Sequence, residues 1–465
     1  MLATTLSFAQ GPSLAPGDET PEALATDMPA PTPMTLAAAI AYAHAHEPAI
    51  RAALAQVATA QANARVPRAA WQPTFAASAQ LFAATANNTT ASYLVTDDLA
   101  APRIGGTTAV SPSGASWQPY ASSFVGASAL QEVFDFGRIA ARAAAADANV
   151  VVAKHTADAA RLDVELGVEE AYFGVYAAKG VLKASEDAYE RGKTHRDLAK
   201  AGVESGLRSP IELTRAEATL AQYAIGRVRA KGGVIIAQSV LAASLGAPEM
   251  SVDVSGPAPA SADLPSLADA IRAAAAKDPL LQEAVARLSA QERNTTAIGA
   301  ALRPNLFATG TISGRAGGDT PSGTGKVPDG SGFLPDVPNW DVGIILSWTV
   351  FDGVTAAARR ASRVGESARR EEIALYRVRE VAAVTQGYVR VRVARDALPA
   401  MQDALRGALA NYAQADARFR AGLGNAVELA DAEELRTSAE VRLALGRFEV
   451  ARARAIFGRA IAEGL

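Results

Sequence analysis

The chain has 465 residues, with 45 Lys and Arg against 48 Asp and Glu and a net charge of −3, so it lacks the basic excess that nucleic-acid binding requires. It contains no cysteine, which excludes disulfides, thiolate metal sites, a cysteine nucleophile and a lipidated cysteine, and says nothing about redox compartment. All four Trp (Trp71, Trp117, Trp340 and Trp348) and most Phe fall in residues 71–136 or 302–351, while the remainder is rich in Ala, Leu, Arg and Glu, as long, closely packed helices are.

Met1 to Gln10 carries a short apolar run ending Ser7-Phe8-Ala9-Gln10, similar to the end of a secretory signal and its cleavage site but without a basic leading region. We read it as a signal peptide shortened by the choice of start codon. Gly11 to Pro33 is Pro-rich and expected to be extended. Thr35 is a helix cap, and Leu36, Ile40, Ala43, Ile50 and Leu54 follow at helical spacing, predicting a helix to Arg68 that Pro73 stops. Alternation predicts strands over 74–82 and 124–134, flanking a polar loop from Ala84 to Ser123. The second strand ends Val133-Phe134-Asp135-Phe136-Gly137-Arg138 and leads into a helical stretch from Ile139 to about Ala201. At about 1.5 Å per residue such a stretch is a rod of roughly 100 Å, too long for a globular core. A turn at Gly206 starts a return helix, Pro210 to about Leu245. The apolar run Val234 to Leu245 is interrupted by Gln238 and Ser239 and is too short to span a bilayer.

After a linker over 247–265 the order begins again. Leu267, Ile271, Pro279 and Pro304 fall on Leu36, Ile40, Pro48 and Pro73 with one offset, predicting a helix from Ser266 to Arg303. Strands are predicted over 305–313 and 342–351; in the second, Val342, Ile344, Leu346, Trp348 and Val350 share one face. Val350-Phe351-Asp352-Gly353 leads into a second long helix, Thr355 to about Ala421, and a second turn. Here Gly422, Leu423, Glu428 and Glu433 match Gly206, Leu207, Glu212 and Glu217, and the same offset carries Tyr172 onto Tyr388. The chain reads as a duplication, 34–246 and 266–465.

The strands are about ten residues long, enough to cross a bilayer when tilted, and Trp71, Phe134, Trp340 and Trp348 stand where an interfacial aromatic girdle would. Four strands cannot close a barrel and open edges cannot face lipid, so this reading requires an oligomer. Glu428 and Asp431 share a helix face. Taken alone, acids in a first helical turn do no more than complement the dipole. Gly206 and Gly422 read as left-handed caps. The four histidines (His44, His46, His155 and His195) are scattered, and His44 and His46 point to different sides of a helix, so no metal site is expected. No phosphate loop is present, and Gly-Leu-Gly-Asn lacks the preceding strand of a dinucleotide site. The run Arg359, Arg360, Arg363, Arg369 and Arg370 reads as solvated or ion-paired helix faces. No catalytic constellation and no cofactor are expected; the chain does not read as an enzyme.

The strand-to-helix junctions Phe-Asp-Phe-Gly and Phe-Asp-Gly, the Gly-Leu-x-x-x-Val-Glu-Leu-x-Asp-Ala tip and the duplicated order from Thr35 to Leu465 resemble the TolC family of outer-membrane efflux and secretion channels. That resemblance implies a mainly α protomer with a small β part: long antiparallel helices forming a trimeric α-barrel tunnel, and four transmembrane strands per protomer completing a twelve-stranded barrel in the homotrimer. It implies an outer-membrane location in a Gram-negative cell extending into the periplasm, contact with outer-membrane lipid, and partnership with a periplasmic adaptor (membrane fusion) protein and an inner-membrane pump or ABC exporter. It implies a passive exit duct for small molecules; a type I protein secretion duct is the alternative within the class. A soluble elongated coiled-coil scaffold or adaptor is the alternative outside it, and leaves the strands unexplained. The family's entrance carboxylates match Glu428 and Asp431, its first-repeat latch acid Glu212 and its aromatic partner Phe419, which lacks a hydroxyl. Its latch cation falls on Gly424; Arg208, Arg418 and Arg420 are the candidate replacements. Gly206, Leu207, Gly422 and Leu423 are the expected adaptor-docking turns.

Overall fold

The protein is described by a computed structural model over residues 31–84, 91–95, 100–104, 120–256, 263–316 and 339–463. The signal-like residues 1–10 and the Pro-rich stretch up to residue 30 lie outside the described residues. In chain order the elements are β1 (Thr32–Met34), α1 (Leu36–His46), α2 (Pro48–Ala69), β2 (Thr74–Ala84), β3 (Ala91–Val95), β4 (Ala100–Ile104), β5 (Tyr120–Phe134), α3 (Arg138–Glu204), α4 (Pro210–Ser244), β6 (Val252–Val254), α5 (Leu267–Lys277), α6 (Pro279–Ala300), β7 (Asn305–Ala316), β8 (Asn339–Ser347), α7 (Gly353–Arg420) and α8 (Ala426–Ala460). The halves match in length: 11 residues each in α1 and α5, 22 in α2 and α6, 67 and 68 in α3 and α7, and 35 in α4 and α8.

Four features depart from the sequence reading. The polar loop expected from Ala84 to Ser123 contains a short antiparallel pair, β3 with β4. The helix expected to run unbroken to Arg68 is two helices, and so is its counterpart ending near Arg303. Pro48 and Pro279 push the preceding residues out of the helical region, leaving Glu47 at ψ 122° and Asp278 at ψ 116°. The linker contains β6, which pairs in parallel with β1. The last strand runs Asn339–Ser347 rather than 342–351, because its partner β7 begins at Asn305, opposite Ser347.

The chain forms two compact units whose boundaries fall inside α2, α3, α6 and α7. The helical unit holds the described residues within 31–57, 153–285 and 372–463. Its two main cores use matched positions. Ala39, Ala43, Val168, Tyr172, Val175 and Leu241 form one; Ala270, Ala274, Val384, Val391 and Phe457, with Tyr388 packed against them, form the other. Ala39 and Ala43 of α1 and Ala270 and Ala274 of α5 are fully buried, as a small side chain permits when helices approach closely. Caps match as well: Thr35 Oγ1 accepts from Ala38 N and Ser266 Oγ from Asp269 N. Tyr172 has an extra duty, donating its hydroxyl to Ser255 O at 2.8 Å beside the β1–β6 pair.

The second unit, residues 58–152 and 286–371, holds an antiparallel sheet in the order β2-β5-β7-β8. Register puts Phe75, Ala129, Gly310 and Val342 in one row, and Ala77, Ala127, Ile312 and Trp340 in another row of the same face. The opposite face carries the rows Thr74, Leu130, Thr309, Gly343 and Ala76, Ser128, Thr311, Asp341. The Phe-Asp junctions are helix caps. Asp352 accepts from Val354 N and Thr355 N, and Asp135 from Gly137 N and Ile139 N. The first junction has one extra residue, Phe136, accommodated at positive φ together with Gly137.

Candidate functional site

The two helix-to-helix turns of the helical unit are built alike. Gly206 and Gly422 both sit at φ +72°, and each turn closes by the same pair of bonds: Leu207 N to Gly202 O and Gly206 N to Val203 O, matched by Leu423 N to Arg418 O and Gly422 N to Phe419 O. Leucine at this position usually packs back on its helix, yet Leu207 and Leu423 are 84% and 75% exposed. Ile211 and Val427, one helical turn further on, are exposed too. Each hairpin therefore ends in an uncovered apolar tip.

The side chains around the turns are transposed. In the first, Arg208 folds over Gly202, where a Cβ would stand 2.5 Å from its Cδ, and pairs with Glu212 at 2.6 Å. In the second, Arg418 occupies the position matching Gly202, Gly424 the position matching Arg208, and Arg418 pairs with Glu428 at 3.1 Å. The same acid is thus neutralised from opposite sides of the turn. Arg208 reaches further: it donates to Phe419 O and stacks 3.7 Å from the centroid of the Phe419 ring. Phe419 is 2% exposed and packs with Ala415, Leu429 and Ala432. Of the three candidate cations, then, Arg208 joins Glu212 to Phe419 across the hairpins, Arg418 holds Glu428, and Arg420 holds Asp416 at 2.8 Å. Asp431, one turn beyond Glu428 on α8, is exposed and makes no hydrogen bond or ion pair among the described residues.

Behind the tips lies a polar network that the sequence reading missed. Glu433 is fully buried and receives Arg191 from α3 through Nε at 2.8 Å and Nη2 at 2.6 Å, with Thr437 Oγ1 at 3.0 Å. Tyr412 of α7 lies beneath Arg191 and Arg436, and burial, then Glu433 and Asp416, push its hydroxyl up to about 12. The Tyr412 hydroxyl is 3.0 Å from His195 Nε2, and Asp416 Oδ1 is 3.6 Å from the same nitrogen. Burial holds His195 below the usual imidazole range; Asp416 opposes that, while Arg420 and Arg191 reinforce it. The available sequence signal, Glu433 matched to Glu217, was misleading, because Glu217 is exposed.

In the sheet unit, Phe75, Leu81, Ile312, Trp340, Val342, Ile344 and Leu346 are all exposed. The outer edges of β2 and β8 have no partner strand among the described residues. Trp340 is the second residue of β8 and Trp348 follows its end, eight residues on, roughly 26 Å along the strand. The Trp348 Nε1 donates to Leu302 O at 3.2 Å. Trp71 just precedes β2 and Phe134 ends β5; both are exposed.

A family model described as outer membrane efflux protein matches residues 39–247 and 270–461. The chain is 27% identical over 210 residues to the fusaric acid resistance protein FusA of Burkholderia cepacia, an alignment covering 42% of this chain and 36% of that protein. Its fold is similar to that of the outer-membrane channel OprN, with 20% identity, TM-score 0.70 and coverage of 92% of this chain and 90% of that one. It is likewise similar to the CmeC outer membrane channel of Campylobacter jejuni, with 16% identity, TM-score 0.71 and coverage of 92% and 86%.

Proposed function

Because the chain belongs to the outer membrane efflux protein family, we propose that it is the passive exit duct of a tripartite efflux system, working as a homotrimer. The observation that carries this reading is the sheet: one face of Phe75, Ala77, Ala127, Ile312, Trp340, Val342, Ile344 and Leu346, an opposite face on which Thr74, Ala76, Ser128, Thr309, Thr311, Gly343 and Asp341 accompany Leu130 and Ile345, and two edges without a partner among the described residues. In lipid an open edge costs several kcal/mol per unsatisfied group, so the sheet needs copies of itself on both sides. Three protomers close twelve strands, the apolar face meets lipid, and Trp71, Phe134, Trp340 and Trp348 sit at its interfaces.

The hairpin tips form the periplasmic entrance. Asp431 and Glu428 from three protomers give rings of carboxylates, of which Asp431 is the unneutralised one, and such rings favour cations. Arg208 takes the latch role for which Gly424 has no side chain, holding Glu212 and Phe419 together. The bare Leu207 and Leu423, backed by Gly206 and Gly422, dock a periplasmic adaptor, and an inner-membrane pump supplies the energy. The name of the Burkholderia cepacia relative favours small organic solutes over proteins as cargo. The chain itself performs no chemistry.

Single-channel recording of the extracted oligomer in a planar bilayer tests this. Low, cation-selective conductance is expected, with selectivity reduced more by Asp431→Ala than by Glu428→Ala. Trimers that insert without conducting would refute the duct; unchanged selectivity in both variants would refute the entrance assignment alone.

A further inference from the structure

His195 occupies an unusual place for an ionisable group. It lies in α3 behind Phe419, with ring centroids 6.4 Å apart, and lines a cavity of about 270 Å³ with Tyr223, Phe419 and Leu429. Charged and titratable groups surround it: Arg191 on its own helix, Arg215 and Tyr223 from α4, and Tyr412, Asp416 and Arg420 from α7, with Glu433 of α8 one contact further out on Arg191. Glu433 is already committed to Arg191, and Asp416 Oδ2 to Arg420. That leaves Asp416 Oδ1, which is buried without a hydrogen-bond donor, 3.6 Å from His195 Nε2.

One ring nitrogen therefore faces two possible partners. A neutral ring shares a hydrogen with the Tyr412 hydroxyl at 3.0 Å and leaves Asp416 Oδ1 unserved. A protonated ring, a donor at both nitrogens, is drawn to the carboxylate, but a hydrogen bond needs about 2.8 Å, so ring or carboxylate must move. Asp416 lies one helical turn before Arg420 and three residues from Phe419, whose carbonyl and ring hold Arg208. Movement at Asp416 is thus delivered to the segment that joins the hairpins. The nearby Arg191 and Arg420 make a further positive charge unwelcome in the present packing. A more open tip would hydrate the ring and restore its ordinary proton affinity, so proton uptake favours that state.

We propose that His195 is an acid-sensitive catch on the hairpin tips, neutral and bound to Tyr412 in the arrangement described and loosening that arrangement when protonated. Its meaning as a control of the entrance rests on reading these tips as the mouth of the duct. Lowered proton affinity through burial agrees with the geometry.

The chain has no cysteine, so Leu423→Cys provides a single labelling site per protomer on the intact trimer. A spin label there should gain mobility as pH falls from about 7.5 to about 5, a window containing the usual histidine range and above that of most carboxylates. His195→Gln should remove the response, and Tyr412→Phe, which deletes the neutral-state bond, should move its midpoint to higher pH. A label indifferent to pH, or a response persisting in His195→Gln, overturns the proposal. Conductance measured on the same preparations keeps the two readings apart: a label that responds in trimers that never conduct supports the catch while removing its role at a pore.

Discussion

The two repeats share their apolar framework and differ in their polar one. Val168, Tyr172, Val175 and Leu241 of the first have Val384, Tyr388, Val391 and Phe457 of the second at matched core positions, and both turns close by the same hydrogen bonds around glycines at φ +72°. Charged positions have parted company. Glu433 is buried against Arg191, whereas its match Glu217 is exposed and the match of Arg191 is Gly407. Arg208 and Gly202 of the first tip become Gly424 and Arg418 in the second. Packing constrains a duplicated backbone through volume and turn geometry, which both copies must satisfy. An ion pair constrains only its two members, so each copy is free to place its own.

The sharpest way to break this contrast is at the buried pair. Glu433→Ala takes the two-pronged partner from the mostly buried Arg191, leaving it only Glu440 at 3.7 Å, and should cost about 3 kcal/mol. Glu217→Ala should stay within about 0.5 kcal/mol, as surface substitutions do. Thermal unfolding and hydrogen exchange along α3 and α8 measure both. Equal costs would mean that the repeats share a polar framework after all.

Next come the transposed arginines. Arg208→Ala removes a charged hydrogen bond to Phe419 O, the stacking on its ring and the partner of the half-buried Glu212, and should cost about 2–3 kcal/mol. Arg418→Ala removes an exposed pair with Glu428 and should cost less than about 1 kcal/mol. Limited proteolysis at the tips, or exchange of the amides flanking them, orders the two variants. Reversal of that order would place the joint between hairpins at Arg418.

Where the repeats agree, substitutions should agree. Gly206→Ala and Gly422→Ala each force a Cβ into the left-handed region and should cost about 1–2 kcal/mol apiece. Nothing lies within 4 Å of either added Cβ, so strain alone sets the cost, and melting temperatures of the two variants should fall together. A clear difference would show that the turns are not equivalent in solution.

What could be read from the sequence divides along the same line. Helices, turns and strands announce themselves through spacing, Gly, Pro and alternation, and the matched offsets make each copy a check on the other. The elbows at Pro48 and Pro279 were visible as matched prolines, yet a proline in a first helical turn and a proline that starts a new helix look the same until the preceding residue's backbone is known. The exchange of Arg208 and Gly424 was also present in the offset, but its sense needed coordinates: a long arginine reaches Phe419 because Gly202 lets it lie flat. The pairing of Arg191 with Glu433 carries no local signature at all. It joins helices far apart in the chain, and a periodic pattern records only that a position faces inward, not what waits there.

A last, smaller contrast lies at the second elbow. Glu380 of α7 is buried and matches Val164 in the first repeat. Burial and the neighbouring Asp278 carboxylate push it up to about 6, against the opposing pull of Arg377. Because the folded chain holds this proton more tightly than the unfolded chain, whose glutamates titrate near 4.5, it binds more protons between those values. Stability from this group is therefore fullest below about pH 4.5, declines as pH rises to about 6, and is level above that. Glu380→Gln keeps the shape and deletes the titration. It should match wild type near pH 4 and exceed it near pH 7 by on the order of 1 kcal/mol. Paired thermal melts across that range decide the matter. Parallel curves would mean that the ionised Glu380 is solvated in the folded chain, and the elbow would then join the features that the two repeats hold in common.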